Sequence, residues 1–260
     1  MKIQLSEFEI AYTDEGSGPP ILFVHGYPLN RRMWLPQIEG LQDQFRVLAP
    51  DLRGHGETSP TPGPYSIDQL ADDLAAFLDA IDIREKISLC GLSMGGYVCL
   101  AFVRRHSDRL KNLILTATRA SADTPDTKLN RDRTANLARS EGVATVVEGM
   151  LPRLFTPENY AGRGELVRSV REMMLQTSLE GMLGALIAMK NRPDYNGALA
   201  ELKTPCLVIH GQADQIVPLT EAEAMAGSIP GCKFRILPAA GHLPNLEQPE
   251  LFNLALKSFL

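Results

Sequence analysis

The sequence predicts an α/β protein built on a doubly wound, mostly parallel sheet, with a helical lid inserted into it. Three observations carry that expectation: short, near-continuous apolar runs, amphipathic helical stretches alternating with them, and one long interval without strands. Runs apolar along their whole length suit parallel strands covered on both faces, and strand–helix alternation implies right-handed crossovers.

Taken in order, Lys2 to Leu5 and Phe8 to Thr13 alternate enough to form a short hairpin at a sheet edge, and Asp14 to Pro20 turns the chain. Ile21-Leu22-Phe23-Val24, Val47-Leu48-Ala49, Ile87-Ser88-Leu89-Cys90, Leu113-Ile114-Leu115 and Cys206-Leu207-Val208-Ile209 are the expected buried strands. Ile67, Leu70, Leu74, Phe77 and Leu78 share one face of a helix that Ser66 caps. The alternation stops near Thr118 and resumes near Thr204. From Arg119 to Tyr195 the patterns are helical, Val143 to Phe155 and Leu166 to Gln176 among them, broken by Gly142, Pro152, Pro157, Gly162 and Gly164. The expected division is a core of residues 1–118 and 196–260 and a helical cap of residues 119–195. A segment that enters after one core strand and leaves before the next must sit over the carboxyl edge of the sheet, where α/β proteins bind ligands. Met150, Met173, Met174, Met182 and Met189 either line an adaptable apolar pocket there or pack as ordinary core.

Composition narrows the function. With 260 residues, 44% of them hydrophobic, the chain has enough apolar surface for one large core and needs no second domain. A formal net charge of −5, with both signs mixed along the chain, offers no basic stripe for nucleic acid or an anionic membrane, and points to a small-molecule ligand. Met1 to Glu7 is too short an apolar stretch for a signal peptide, and no segment reaches the ~20 apolar residues of a membrane span, so a soluble, cytoplasmic protein is expected. Cys90, Cys99, Cys206 and Cys232 lack metal or redox spacing and read as buried small side chains in a reducing compartment.

The chemistry is written at Gly91-Leu92-Ser93-Met94-Gly95-Gly96, where an apolar strand breaks into the helical pattern of Tyr97 to Val103. A serine between glycines at such a junction is a nucleophile elbow: the turn is so sharp that only tiny side chains fit two positions before and after its centre. The hydroxyl is lifted to a helix N-terminus, whose dipoles favour developing negative charge. A serine is a weak nucleophile and needs a base, and the base needs an acid to hold its tautomer. His242 is the expected base. It lies in Ala239-Ala240-Gly241-His242-Leu243-Pro244 after the last strand, fixed by a glycine before it and a proline after. Asp214, on the loop leaving Cys206 to Ile209, is the expected acid, with Asp123, after an earlier strand, as its rival. The backbone N–H groups of Met94 and Tyr27 are the expected oxyanion donors, Tyr27 from the loop His25-Gly26-Tyr27-Pro28-Leu29-Asn30. His25 and His210 are expected to bond loops together, and Asp51-Leu52-Arg53-Gly54-His55-Gly56 to set a turn under the site.

These segments resemble the α/β-hydrolase superfamily. His25-Gly26, Asp51 to Gly56, Gly91 to Gly96, Gly211 with Asp214, and Gly241-His242 fall in its order and spacing over nearly the whole chain. The resemblance implies an eight-stranded sheet, a Ser93–Asp214–His242 triad and a lid. Gly63-Pro64-Tyr65-Ser66 and the elbow are similar to the 3-oxoadipate enol-lactonase branch, whereas His25 to Asn30 with Trp34 resembles the arylesterases and cofactor-free haloperoxidases or perhydrolases. Haloalkane dehalogenases and many epoxide hydrolases share the His-Gly-x-Pro loop but attack with aspartate, which Ser93 argues against. The expected activity is cleavage of a small carboxylic ester or lactone through an acyl-enzyme on Ser93, with no metal or organic cofactor and, because of Pro28, a perhydrolase side activity. Carbon–carbon bond hydrolases of the same fold, and ligand receptors that keep the triad but turn over slowly, are the alternatives.

Overall fold

Strands bury alternate residues on opposite faces, and here both faces are covered. In the computed structural model, which describes residues 1–260, the strands are β1 (Lys2–Gln4), β2 (Glu9–Glu15), β3 (Pro20–Val24), β4 (Arg46–Pro50), β5 (Ile87–Leu92), β6 (Leu110–Thr116), β7 (Cys206–Gly211) and β8 (Lys233–Leu237). They form one eight-stranded sheet in the order β1-β2-β4-β3-β5-β6-β7-β8. Only β2 runs against the others, pairing antiparallel with β1, where Lys2 faces Ala11, and with β4, where Tyr12 faces Pro50, so the expected hairpin sits at the sheet edge. The remaining pairs are parallel.

The helices are α1 (Leu35–Leu41), α2 (Ile67–Ala80), α3 (Met94–His106), α4 (Pro125–Glu141), α5 (Val143–Met150), α6 (Pro157–Gly162), α7 (Gly164–Leu175), α8 (Leu179–Lys190), α9 (Asn196–Leu199), α10 (Leu219–Ser228), α11 (Pro244–Glu247) and α12 (Pro249–Lys257). Ser66 caps α2 as expected, its hydroxyl accepting from the Gln69 N–H at 3.0 Å. On one face of the sheet Leu22, Val24, Leu89 and Leu113 pack with Leu74 and Phe77 of α2 and Phe102 of α3. On the other, Phe23, Cys90, Ile114 and Ile209 pack with Ile38 of α1 and Phe252 and Leu256 of α12. Each fully buried side chain of this size contributes about 1.5–3 kcal/mol.

Between β6 and β7 the chain forms α4 to α9 and no strand. Their buried residues join the two layers already present: Ala135, Ala138, Met182 and Ala185 the first, Val147, Phe155, Met173 and Met174 the second. Strand β8 falls outside the apolar runs. Lys233-Phe234-Arg235-Ile236-Leu237 closes the far edge with most of its residues partly or fully exposed, and charged residues there guard an unpaired edge. Cys90, Cys99 and Cys206 are buried, Cys232 is partly exposed, and all four are free thiols. No helix is long and apolar enough to cross a membrane.

Candidate active site

Strands β3, β5, β7 and β8 all deliver a loop to the same, carboxyl edge of the sheet. At the end of β5, Ser93 has φ 55° and ψ −113°, a conformation that costs a non-glycine residue about 1–3 kcal/mol. Two hydrogen bonds hold it, the Ser93 N–H donating to the Thr116 carbonyl at 2.9 Å and its carbonyl accepting from Thr118 Oγ1 at 2.8 Å, and α3 starts at the next residue. The flanking glycines are steric necessities. A Cβ on Gly91 would overlap the Gly95 carbonyl and Cys99 Sγ, and one on Gly95 would overlap the carbonyls of Val24 and His25.

His242 is buried on the loop after β8, where its N–H donates to the Leu154 carbonyl at 3.0 Å. Its Nδ1 lies 2.8 Å from Asp214 Oδ2. The other Asp214 oxygen accepts from the N–H groups of Ile216 (2.8 Å) and Val217 (3.0 Å). Burial pushes the Asp214 carboxyl up, but the His242 charge and these hydrogen bonds outweigh it and hold the pKa below the usual carboxylate range. The group therefore faces His242 as an anion. Asp123 is placed differently. It accepts from Arg119 Nη2 at 3.0 Å, Arg131 Nε at 2.8 Å and Arg192 Nη1 at 2.6 Å, which occupies both its oxygens.

The loop after β3 comes against the elbow, where a Cβ on Gly26 would lie 3.5 Å from that of Ser93. The Tyr27 N–H donates to no protein acceptor, and Met94 opens α3, where first-turn N–H groups have no partner within the helix. The Tyr27–Pro28 peptide is cis, and the Pro28 carbonyl accepts from Thr177 Oγ1 at 2.8 Å. His25 bonds two loops: its Nδ1–H donates to the Gly26 carbonyl (2.9 Å) while Nε2 accepts from the Leu52 N–H (2.8 Å). Burial keeps it neutral, with a pKa lowered to about 4. His210 donates from Nε2 to the Val217 carbonyl at 3.0 Å, behind Asp214. The Asp51 to Gly56 turn is pinned by the buried Asp51, whose carboxylate accepts from the N–H groups of Arg31 (2.7 Å) and Glu57 (2.9 Å).

Ser93 opens on a cavity of about 440 Å³, a volume ordinary for a small-molecule site. Of the five methionines, Met150 and Met189 line it, while Met173, Met174 and Met182 are buried in the core. Two features are absent from the sequence reading. Glu247 accepts from the N–H groups of Gly241 (2.7 Å) and Thr156 (2.9 Å), tying the His242 loop to the segment before α6. Arg119, Arg131 and Arg153 stand on the cavity wall. Only the density of arginines between Arg119 and Arg153 hints at that wall in the sequence.

The chain matches the alpha/beta hydrolase family over residues 21–255 and belongs to it. It is a hydrolase. Among solved structures, a thermophilic esterase from Thermogutta terrifontis, described with malate bound, superposes with a TM-score of 0.96 at 43% identity, covering 99% of this chain and 97% of that one. 3-Oxoadipate enol-lactonase 2 of Acinetobacter baylyi is 30% identical over 93% of this chain and 88% of its own length. Non-heme chloroperoxidase CPO-A1 of Kitasatospora aureofaciens is 29% identical over 97% and 96%.

Proposed function

We propose that the chain hydrolyses a small carboxylic ester or lactone through an acyl-enzyme on Ser93. One observation carries this reading: a serine held at an elbow on the cavity, at the same sheet edge as a buried histidine bonded to an ionised aspartate at 2.8 Å. His242 Nε2 takes the Ser93 proton as Oγ attacks the carbonyl carbon, and Asp214 stabilises the imidazolium through Nδ1–H. The N–H groups of Tyr27 and Met94 receive the oxyanion. The imidazolium then gives its proton to the leaving alkoxide, and water repeats the sequence to release the acid. Helices α4 to α8 act as the lid, contributing Met150 and Met189 to the acyl pocket. The esterase and enol-lactonase relatives support the substrate class.

Ser93→Ala removes the nucleophile without touching the core, so kcat for a short-chain aryl ester falls about 10³-fold or more at an unchanged melting temperature. Retention of a tenth of the activity would exclude an acyl-enzyme on Ser93. Many turnovers per chain in the parent separate an enzyme from a receptor that hydrolyses its ligand once.

A perhydrolase side activity is the second reading, favoured by Pro28 directly after Tyr27 and by the likeness to the chloroperoxidase. Hydrogen peroxide replaces water on the acyl-enzyme, giving a peracid and free Ser93. Acetate and peroxide are assayed with the parent, Pro28→Leu and Ser93→Ala. A peracid signal lost in both variants supports it; a parent signal no higher than that of Ser93→Ala, or one that Pro28→Leu leaves undiminished, rejects it.

A further inference from the structure

The cavity that Ser93 faces has a cationic wall. Arg119, Arg131 and Arg153 line it, and Arg192 lies buried behind them with its guanidinium 3.9 Å from the centre of the Tyr97 ring. The carboxylate among them, Asp123, is saturated by three of these arginines. A second, Glu221, is held by Ser121 Oγ at 2.8 Å and acts on Arg119 through its charge. Four guanidinium groups therefore meet two carboxylates. Donors are also left over. Arg131 spends only its Nε on Asp123, and Arg119 Nε is buried without an acceptor. The Tyr27 hydroxyl, on the same wall, belongs to a residue only 6% exposed and has no partner. Burial raises its pKa, so it stays protonated as a donor, and the Arg131 charge reaches it. A buried donor without an acceptor is costly, and hydrogen bonds to an anion are the strong ones.

We infer that this wall is a carboxylate subsite: the substrate carries a carboxylate at the far end of its acyl chain, received by Arg131 and Arg119 with the Tyr27 hydroxyl. The substrate class is thereby narrowed to half-esters of dicarboxylic acids and lactones bearing a carboxylate. This rests on the reading of Ser93 as the nucleophile. An acyl chain of the same shape without charge fills the same space but leaves the guanidinium groups and the hydroxyl unpaired.

Two esters matched in shape test it, monomethyl glutarate and methyl 5-methylhexanoate, followed in a pH-stat at low salt. The parent's kcat/KM favours the charged ester by about tenfold or more, mainly through KM, as one charge-assisted contact implies. That ratio falls about tenfold in Arg131→Gln and is partly retained in Arg131→Lys, which keeps the charge but not the fork. A parent ratio near one overturns the subsite while leaving the hydrolase reading intact, and so does a ratio that Arg131→Gln leaves unmoved. If neither ester is cleaved, the aryl ester decides the reading of Ser93 as nucleophile, and binding of the two product acids decides the subsite by calorimetry. Glutarate binding about tenfold tighter than 5-methylhexanoate to the parent, a preference lost in Arg131→Gln, supports it; equal binding rejects it.

Discussion

Two aspartates, each on a loop leaving a parallel strand, compete for the role of acid, and their neighbours separate them. Asp214 has one oxygen on two backbone N–H groups and the other on His242, so its charge is aimed at the imidazole. Asp123 is encircled by arginines and ties the segment before α4 to α4 itself and to the turn after α8. Asp214→Asn is therefore expected to lower kcat about 10⁴-fold with the melting temperature nearly unchanged. Asp123→Asn leaves guanidinium groups uncompensated, and breaking a buried pair costs about 3–5 kcal/mol. Measuring kcat and thermal melting on both variants decides the matter, and a catalytic loss in Asp123→Asn at full stability moves the acid to the strand β6 loop. Ser93 and His242 are legible in the sequence because their immediate neighbours, small or rigid, announce a forced turn. The arginine wall is not, because Asp123 and Arg192 meet across 69 positions and no local pattern encodes that meeting.

Elements are legible where one periodicity decides them. Strands β3, β5 and β7 are buried along their whole length and read as near-continuous apolar runs. Strand β8, an edge strand with cationic residues at alternate positions, has no such signature and is specified by pairing with β7. Where an element meets another closely, glycine marks the contact. Gly95 lies where β3 passes the start of α3, and the atoms a methyl would strike are the backbone carbonyls of Val24 and His25, which cannot yield without moving the Tyr27 loop. Gly95→Ala should cost about 1–3 kcal/mol of stability and at least tenfold in kcat. Gly227, near the end of α10, has nothing within 4 Å of its would-be Cβ. Gly227→Ala should gain about 0.5–1 kcal/mol, since only helix propensity changes. Melting curves of the two variants test the pair, and a shift of the same sign in both contradicts it.

At the scale of the whole molecule, the interval of α4 to α8 and the sheet share the same two apolar layers, so they are expected to unfold together in one transition. Its response to acid follows from the buried histidines that lock loop to loop. Burial lowers the pKa of His25 to about 4 and, with the charge of His25 beside it, that of His55 to about 3; His210 is lowered too. Each is neutral in the fold but takes up a proton near pH 6.5 once unfolded. The unfolded chain then binds more protons, so stability is full above about pH 6.5 and is lost as pH falls toward the folded values. For His25 alone the loss is on the order of 3 kcal/mol. Asp51, Asp73 and Glu247, whose carboxyls burial raises, act in the opposite sense, their stabilisation being fullest below about pH 4. Asp123 and Asp214, held low, lose theirs only below that pH. Between pH 6.5 and 5 the histidines lower stability as pH falls, the raised carboxyls oppose them, and a histidine variant isolates the histidine part. Denaturant titrations at pH 7.5, 6.5, 5.5 and 5.0 should show one transition. In His25→Gln, which loses this ring's titration, the midpoint should lose less below pH 6.5 than in the parent; parallel pH profiles for parent and variant would remove His25 from the account.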